Sequence, residues 1–364
     1  MIVFIFGTTA EALKLSPIWR RLRSKGIPFE KWNSGQHIEE IEEGLLAINE
    51  GIPERTLVNG FRGKNMTSRS QALVWGPRVL FTAIARIREI RRQGIEPVVI
   101  VHGDTLTTLF GALAAFFTRC GCVHVEAGLR SGDWRNPFPE ELVRILVARI
   151  ADFHFAPSER EVSNLENQKH VSGSIACTRN NTAVDNLYDF HVKVNKDVDL
   201  TPYCLVTIHR SESIDDPLFM REIVQTLNKI AETIEIVLVQ DRRFKSALLS
   251  SQLKFNSKIQ VREKASFPEF ISLVSGAEFL ITDSGGLQEE AAVLGVPTIV
   301  HRKATERFDG IGENVVLSDG RPENLIEFSK KYTQYEKSMK DLLDSPSDLV
   351  IDQLISWNLI RPGD

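Results

Sequence analysis

Residues 279–300 read FLITDSGGLQEEAAVLGVPTIV. An apolar run ends at Thr282, the turn DSGG follows, and apolar residues then recur at helical spacing until Gly295 and Pro297 halt them. A second apolar run, VPTIVHR (296–302), comes next. Strand, turn, helix and strand in so short a stretch make a crossover unit, and such units build parallel sheets covered by helices on both faces. Ser284, Gly285 and Gly286 fall where the helix begins. Unpaired N–H groups and the positive dipole end favour an anion there, such as a diphosphate, and glycine lets the backbone approach it closely. Glu290, about one turn further on, could accept both hydroxyls of a ribose. The competing reading is that Asp283 or Ser284 caps the helix and the glycines only make the turn.

The same alternation extends outward in both directions. YCLVTIHR (203–210), EIVLVQ (235–240) and KIQVRE (258–263) read as strands, and 215–232 reads as a helix with Asp216 as N-cap and Pro217 at its first position. In the first half, IVFIF (2–6), PVVIVHGD (97–104), VHVEAG (123–128) and FHFAPS (153–158) read as strands, with a helix over 105–117. Thr8 and Glu11 have the spacing of a capping box at the start of another helix. Between 163 and 200 the composition turns polar, which marks a linker and domain edge. The expected architecture is α/β: two Rossmann-like, doubly wound domains facing each other across a cleft, spanning 1–172 and 173–345. The segment 346–364 is expected to pack back on the first domain. Sheets of this kind bind ligands at the carboxyl ends of their strands.

A chain of 364 residues exceeds one ordinary core, so two domains are expected from length alone. Hydrophobic residues at 42% and charged residues at 25% fit a folded globular protein. The net charge of −4, with both signs interspersed, offers no broad basic surface for nucleic acid. Cys120, Cys122, Cys177 and Cys204 form neither a disulfide framework nor a zinc pattern, so no metal is expected and the compartment is reducing. MIVFIFGTTAEALK lacks the basic start and cleavage site of a secretion signal, and no apolar run approaches bilayer length. A cytoplasmic location without a membrane partner is expected.

The chemistry-bearing residues gather at strand ends. CVHVEAGLRSGDWRNPFPEE (122–141) holds Glu126, Asp133, Glu140 and Glu141 beside His124, Arg130 and Arg135. Carboxylates so close repel one another unless they are paired or used. Glu140 and Glu141 precede an apolar run, where acidic residues suit a helix start, and this explains Glu141 better than Glu140. His102 and Asp104 end one strand, with Asp104 read on pattern alone as an N-cap, while His209 and Arg210 end another, followed by Glu212.

These motifs together resemble the non-hydrolysing UDP-N-acetylglucosamine 2-epimerases, a family with the two-domain GT-B fold. The matching segments are FGTTAEALKLSPI, SGQHIEE, VHGDTLTTL, HVEAGLRSG, PFPEE, LVTIHRSES, TDSGGLQEEAAVLGVP and ATERFDG, in the family's order from residue 2 to about 315. The resemblance implies interconversion of UDP-N-acetylglucosamine and UDP-N-acetylmannosamine. UDP is expelled from C1 as the C2 proton is removed, and UDP returns to the 2-acetamidoglucal as a proton reaches the opposite face. It implies acid–base roles for the carboxylates of Asp104, Glu126 and Glu140, and a catalytic His209 that serves the diphosphate or proton transfer. On the nucleotide side it implies Ser284, Gly285, Gly286, Glu290, Arg307, Phe270, Arg210 and Lys14. Gln36 and His37 match a second, activating UDP-sugar site of some members. The resemblance further implies no cofactor, a UDP-sugar as the small-molecule partner, and a homodimer.

The sequence also departs from the family pattern. Thr9 and Ala10 stand where Arg-Pro is usual, Val143 replaces an Asn, and Gln240-Asp241 replace a His-containing strand end. The segment SGSIACTRNNTAVDN is longer than its counterpart. Epimerisation of a uronate or diacetamido UDP-sugar is the nearest alternative. A hydrolysing epimerase, a GT-B glycosyltransferase and a sugar-nucleotide sensor without catalysis are the others. The glycosyltransferase does not call for Asp104, Glu126, Glu140 and His209 together.

Overall fold

A computed structural model of the chain describes residues 1–59, 69–135, 137–171, 173–191, 201–209, 214–251, 253–263, 265–305, 307–339 and 344–361. It divides into two compact units, Met1–Asn186 with the segment from Leu343 onward, and Leu187–Leu342. Each unit is a parallel sheet alternating with helices, so the doubly wound α/β reading holds in both.

Among the described residues the first sheet has seven strands: β1 (Ile2–Phe6), β2 (Phe29–Asn33), β3 (Arg55–Thr56), β4 (Val98–His102), β5 (Gly121–Val125), β6 (Phe153–Ala156) and β7 (Ser174–Cys177). Their order is 3-2-1-4-5-6-7. The second has six: β8 (Tyr203–Thr207), β9 (Glu235–Val239), β10 (Ile259–Arg262), β11 (Phe279–Thr282), β12 (Thr298–Val300) and β13 (Val315–Leu317), in the order 10-9-8-11-12-13. Every residue of β1, β4, β8 and β11 is buried, which is why these central strands read as unbroken apolar runs. The order reverses between β1 and β4 in one unit and between β8 and β11 in the other. At such a reversal neighbouring crossovers leave in opposite directions and open a crevice at the strand ends. The residues following β1, β4, β8 and β11 are therefore the first to search for chemistry.

Local signals position those turns. The helix Thr9–Ser24 starts with a complete capping box: Thr8 Oγ1 accepts from Glu11 N–H and the Glu11 carboxylate accepts from Thr8 N–H. Gly7, just before it, admits no side chain, because a Cβ there would lie 2.2 Å from Thr107 Oγ1 and 2.6 Å from Ser34 Oγ. Asp216 caps the helix Pro217–Ile230 with Pro217 at its start.

Two expectations need correction. The polar stretch 163–200 is not simply a linker: it contains the end of the helix Glu159–Asn167, then β7, then the helix Ala183–His191. β7 joins the sheet through its backbone, pairing Phe153 with Ser174 and Ala156 with Cys177, while its side chains are only half-buried. A half-buried four-residue strand carries little apolar signal. The unit boundary accordingly falls after Asn186 rather than at 172. The C-terminal helix Pro346–Ser356 packs on Thr9–Ser24, and Trp357 sits 4.9 and 5.0 Å from the rings of Phe153 and Phe155. No helix among the described residues is long and apolar enough to cross a membrane.

Candidate active site

At the end of β5 the backbone turns through Glu126, whose φ of 61° lies in the left-handed region that a non-glycine residue enters at a cost of about 1–2 kcal/mol. The carboxylate it presents is 7% exposed and held from several sides. Lys14 Nζ, from the helix Thr9–Ser24, donates to Oε1 at 2.7 Å, and Asn181 Nδ2 donates to the same oxygen at 2.6 Å. Oε2 lies 3.6 Å from His102 Nε2 at the end of β4. Lys14, expected on the nucleotide side, is thus paired with Glu126.

Asp104, in the turn after β4, accepts from Arg144 Nη2 at 2.6 Å and Nε at 2.8 Å. It is not the cap of the next helix. Thr105 takes that role for Leu106–Thr118, accepting from Thr108 N–H, and this leaves the Asp104 carboxylate for Arg144. Arg144 also donates to Glu141 at 3.0 Å, and Glu141 accepts from Ser131 N–H at 3.2 Å. Glu141 is thus more than a helix-start residue: it is buried and ion-paired. Burial works against the Arg144 charge, but Asp104 and Glu141 outweigh it and raise its pKa.

The remaining acids of 122–141 separate by environment. Asp133 lies in an exposed turn and accepts from Arg135 N–H at 3.0 Å. Glu140, at the start of the helix Glu140–Ile150, is half-buried, with Oε2 buried and without a hydrogen bond.

Buried polar groups brace both turns. His124 Nε2 donates to Gly103 O at 2.7 Å, and Gly103 N–H donates to Val125 O at 3.0 Å, clamping the backbone just before Asp104. Burial pushes the His124 pKa down to about 3, so the ring is neutral at ordinary pH. On the other side, the Glu11 carboxylate accepts from Gly7 N–H at 2.8 Å and from the Thr105 hydroxyl at 2.8 Å, joining the β1 and β4 turns. Burial raises its pKa despite these donors. Gln36 and His37 follow β2 and are half-buried, with Gln36 Oε1 3.4 Å from Thr107 Oγ1.

In the second unit, Asp283 follows β11 and is buried, and both of its oxygens accept from His209 N–H, at 3.2 and 3.1 Å. His209 Nδ1 lies 3.4 Å from Asp283 Oδ1, and its side chain is 49% exposed. Ser284 caps the helix Gly285–Leu294, accepting from Leu287 N–H, while Gly285 and Gly286 open that helix. A Cβ on Gly286 would meet nothing within 4 Å. The capping and anion-binding readings of this turn are therefore compatible, since Ser284 occupies the N–H of Leu287 and not those of the glycines.

Glu290 lies half-buried one turn along, and Phe270 is half-buried on the helix Phe267–Ser275. Arg307 pairs with Glu289, and its carbonyl accepts from Gln288 Nε2 at 3.1 Å, which ties its loop to the same helix. His301, after β12, stacks on Phe219 at 5.5 Å; burial lowers its pKa while Asp283 pulls the other way. Asp241, at a departure from the family pattern, caps the next helix by accepting from Phe244 N–H. Arg210 and Glu212 lie outside the described residues.

Arg144, Asn181 and Asp283 enter the candidate site through contacts that the sequence does not show. Asp283 was legible as a turn residue, but nothing local in the sequence signals the other two.

Residues 79–348 match the family model of UDP-N-acetylglucosamine 2-epimerase. The chain belongs to that family. It is 34% identical over 343 residues to the UDP-N-acetylglucosamine 2-epimerase of Methanocaldococcus jannaschii, covering 89% of each chain. To the Bacillus subtilis enzyme of the same name it is 31% identical, covering 91% of this chain and 86% of the other. The crystal structure of the M. jannaschii epimerase in complex with UDP-GlcNAc and UDP superposes with a TM-score of 0.78 at 29% identity, over 98% of this chain and 99% of that one. The Neisseria meningitidis epimerase bound to UDP-GlcNAc gives 0.80 at 25% identity, with the same coverage. The epimerase family accounts for the fold of both units and makes this chain an isomerase.

Proposed function

We propose that this chain interconverts UDP-N-acetylglucosamine and UDP-N-acetylmannosamine without hydrolysis, by eliminating and re-adding UDP. The observation that carries this reading is the pair of fixed carboxylates at adjacent strand ends: Glu126, held by Lys14 and Asn181, and Asp104, held by Arg144. The C2 hydrogen of an acetamido sugar is not beside a carbonyl, so simple deprotonation is too hard. If the C1–O bond to UDP breaks as the C2 proton is taken, the C–H electrons form the C1=C2 bond and the diphosphate leaves with the C1–O pair. The reverse step adds a UDP oxygen to C1 while C2 receives a proton on the other face.

That route needs proton-transfer groups on two faces of the ring, and Glu126, Asp104 and Glu140 are the candidates. The departing diphosphate needs fixed positive potential. The helix start at Ser284–Gly286 suits it, with His209, Arg210 and Arg307 as side-chain partners, and Glu290 and Phe270 for the ribose and base. The relatives solved with UDP-GlcNAc and UDP support the same substrate class.

Proton NMR of the protein with UDP-N-acetylglucosamine in deuterated water tests the proposal. An appearing UDP-N-acetylmannosamine anomeric signal, with deuterium entering at C2 and little free UDP, is the expected result. Stoichiometric UDP and free sugar would replace it with hydrolysis. No reaction with any UDP-acetamido sugar, but retained UDP binding, would leave a sensor.

A further inference from the structure

Asn181 belongs to the stretch CTRNNT, which carried no chemical reading in the sequence. Its side chain bridges two structures. Oδ1 accepts from Ala183 N–H at 3.0 Å at the start of the helix Ala183–His191, and Nδ2 donates to Glu126 Oε1 at 2.6 Å. The first bond fixes the second: only the amide oxygen can accept from Ala183, so the NH2 group must face the carboxylate. The next residue is anchored as well, since the Thr182 hydroxyl donates to Leu-flanked Lys14 O at 2.6 Å. Asn181 itself is buried.

A carboxylate oxygen offers two lone-pair directions, and on Oε1 of Glu126 they are taken by Lys14 Nζ and Asn181 Nδ2. Oε2 instead faces the β4 turn, 3.6 Å from His102 Nε2. Lys14, from the helix Thr9–Ser24, and His102, from the end of β4, are titratable groups that face this carboxylate. We infer that Asn181 is a positioning residue for Glu126: its amide holds Oε1 as an acceptor and favours the ionised carboxylate. The link to sugar chemistry rests on the epimerase reading, whereas the coupling of Asn181 to Glu126 does not.

The test separates the two. Ser serves as an N-cap about as well as Asn, so Asn181→Ser keeps an acceptor for Ala183 N–H but is too short to donate to Glu126. In protein labelled with 13C at the Glu carboxyls, the resonance absent from Glu126→Gln identifies Glu126, and its pH titration is followed in wild type and Asn181→Ser. Loss of a hydrogen bond to the charged form should raise the midpoint by about one pH unit. The acid limb of C2–H exchange should move the same way, with kcat down roughly tenfold at the original optimum and KM little changed.

Asn181→Asp also keeps the cap, sets a second carboxylate against Glu126, and should raise the midpoint further; it serves if Asn181→Ser does not fold. A lowered melting temperature with an unmoved Glu126 midpoint would reduce Asn181 to a helix cap and overturn the inference. A moved midpoint in a protein whose wild type exchanges no C2 hydrogen would sustain the coupling and sink the epimerase reading instead.

Discussion

The two strand-order reversals share a topology but are furnished in opposite ways. At and beside the first, between β1 and β4, the polar side chains are buried or half-buried and fastened to one another: Glu126 to Lys14 and Asn181, Asp104 to Arg144, Glu11 to the threonines of the next turn. At the second, between β8 and β11, buried Asp283 supports a half-exposed His209, and the helix beside them opens with Gly285 and Gly286. Proton transfer needs groups whose geometry is already fixed when the proton moves. Gripping a diphosphate needs accessible N–H groups and room for its oxygens. On the proposed function, one topology serves two tasks, according to whether the protein fills the strand ends with its own charges or leaves its backbone open there.

The largest effect should come from the first reversal. Glu126→Gln keeps the shape of the side chain but removes its charge and its capacity as a base, and C2–H exchange should fall by about 10²–10⁴-fold. UDP affinity, measured by calorimetry, should change little because the diphosphate is assigned to the other unit. Equal losses in both quantities would erase the division of labour. Next in size is Arg144→Ala, which leaves Asp104 and the buried Glu141 without their cation and should cost roughly 3–5 kcal/mol in urea denaturation. A loss below about 1 kcal/mol would mean that this pair is far better solvated than its burial implies.

Acid stability probes the same contrast on a smaller scale. Burial holds the His124 pKa at about 3, against an ordinary value of 6.5. Between those values the unfolded chain binds the extra proton, so stability that is full above pH 6.5 falls as the pH drops toward 3. Glu11 acts in the opposite sense. Its raised pKa makes the folded chain the better proton binder just above pH 4.5, so its contribution weakens folding as the pH rises there. His124→Gln keeps a donor for Gly103 O without the titration. Its stability should fall less steeply than wild type between pH 6.5 and 5, by roughly 1 kcal/mol per pH unit at most. Urea midpoints at the two pH values read this directly, and identical slopes would show that His124 is not held neutral.

The central strands were legible because burial on both faces turns them into plain apolar runs, and the helix starts were legible because capping is local. β2 is not legible for the complementary reason: FEKWN carries Lys31 and Asn33, polar residues that the fold nonetheless buries. Strand-end placement made Asp104, Glu126 and His209 visible as candidates. Their partners were not visible, because Arg144 lies 40 residues from Asp104 and Asn181 lies 55 from Glu126, and only the assembled sheet brings them together. On pattern alone Asp104 reads as a cap, since a pattern cannot tell which of two adjacent polar residues, Asp104 or Thr105, will take the N-cap.

The two turn glycines should differ, and the second of them should show the smallest effect on stability. A methyl group on Gly7 would press on Thr107 Oγ1 and Ser34 Oγ, which bond to each other at 2.9 Å in a buried setting, so Gly7→Ala should cost about 1–3 kcal/mol. A methyl group on Gly286 meets no protein atom within 4 Å, and alanine is the better helix former, so Gly286→Ala should leave stability unchanged or raise it by up to about 1 kcal/mol. If the helix start at Ser284–Gly286 grips the diphosphate, the same methyl group lies against the ligand's path and UDP affinity should fall although the protein has lost nothing. Melting curves and UDP titration on this one variant therefore separate packing from binding. Undiminished affinity would move the diphosphate away from Gly286, and the openness of the second reversal would then need another explanation than ligand access.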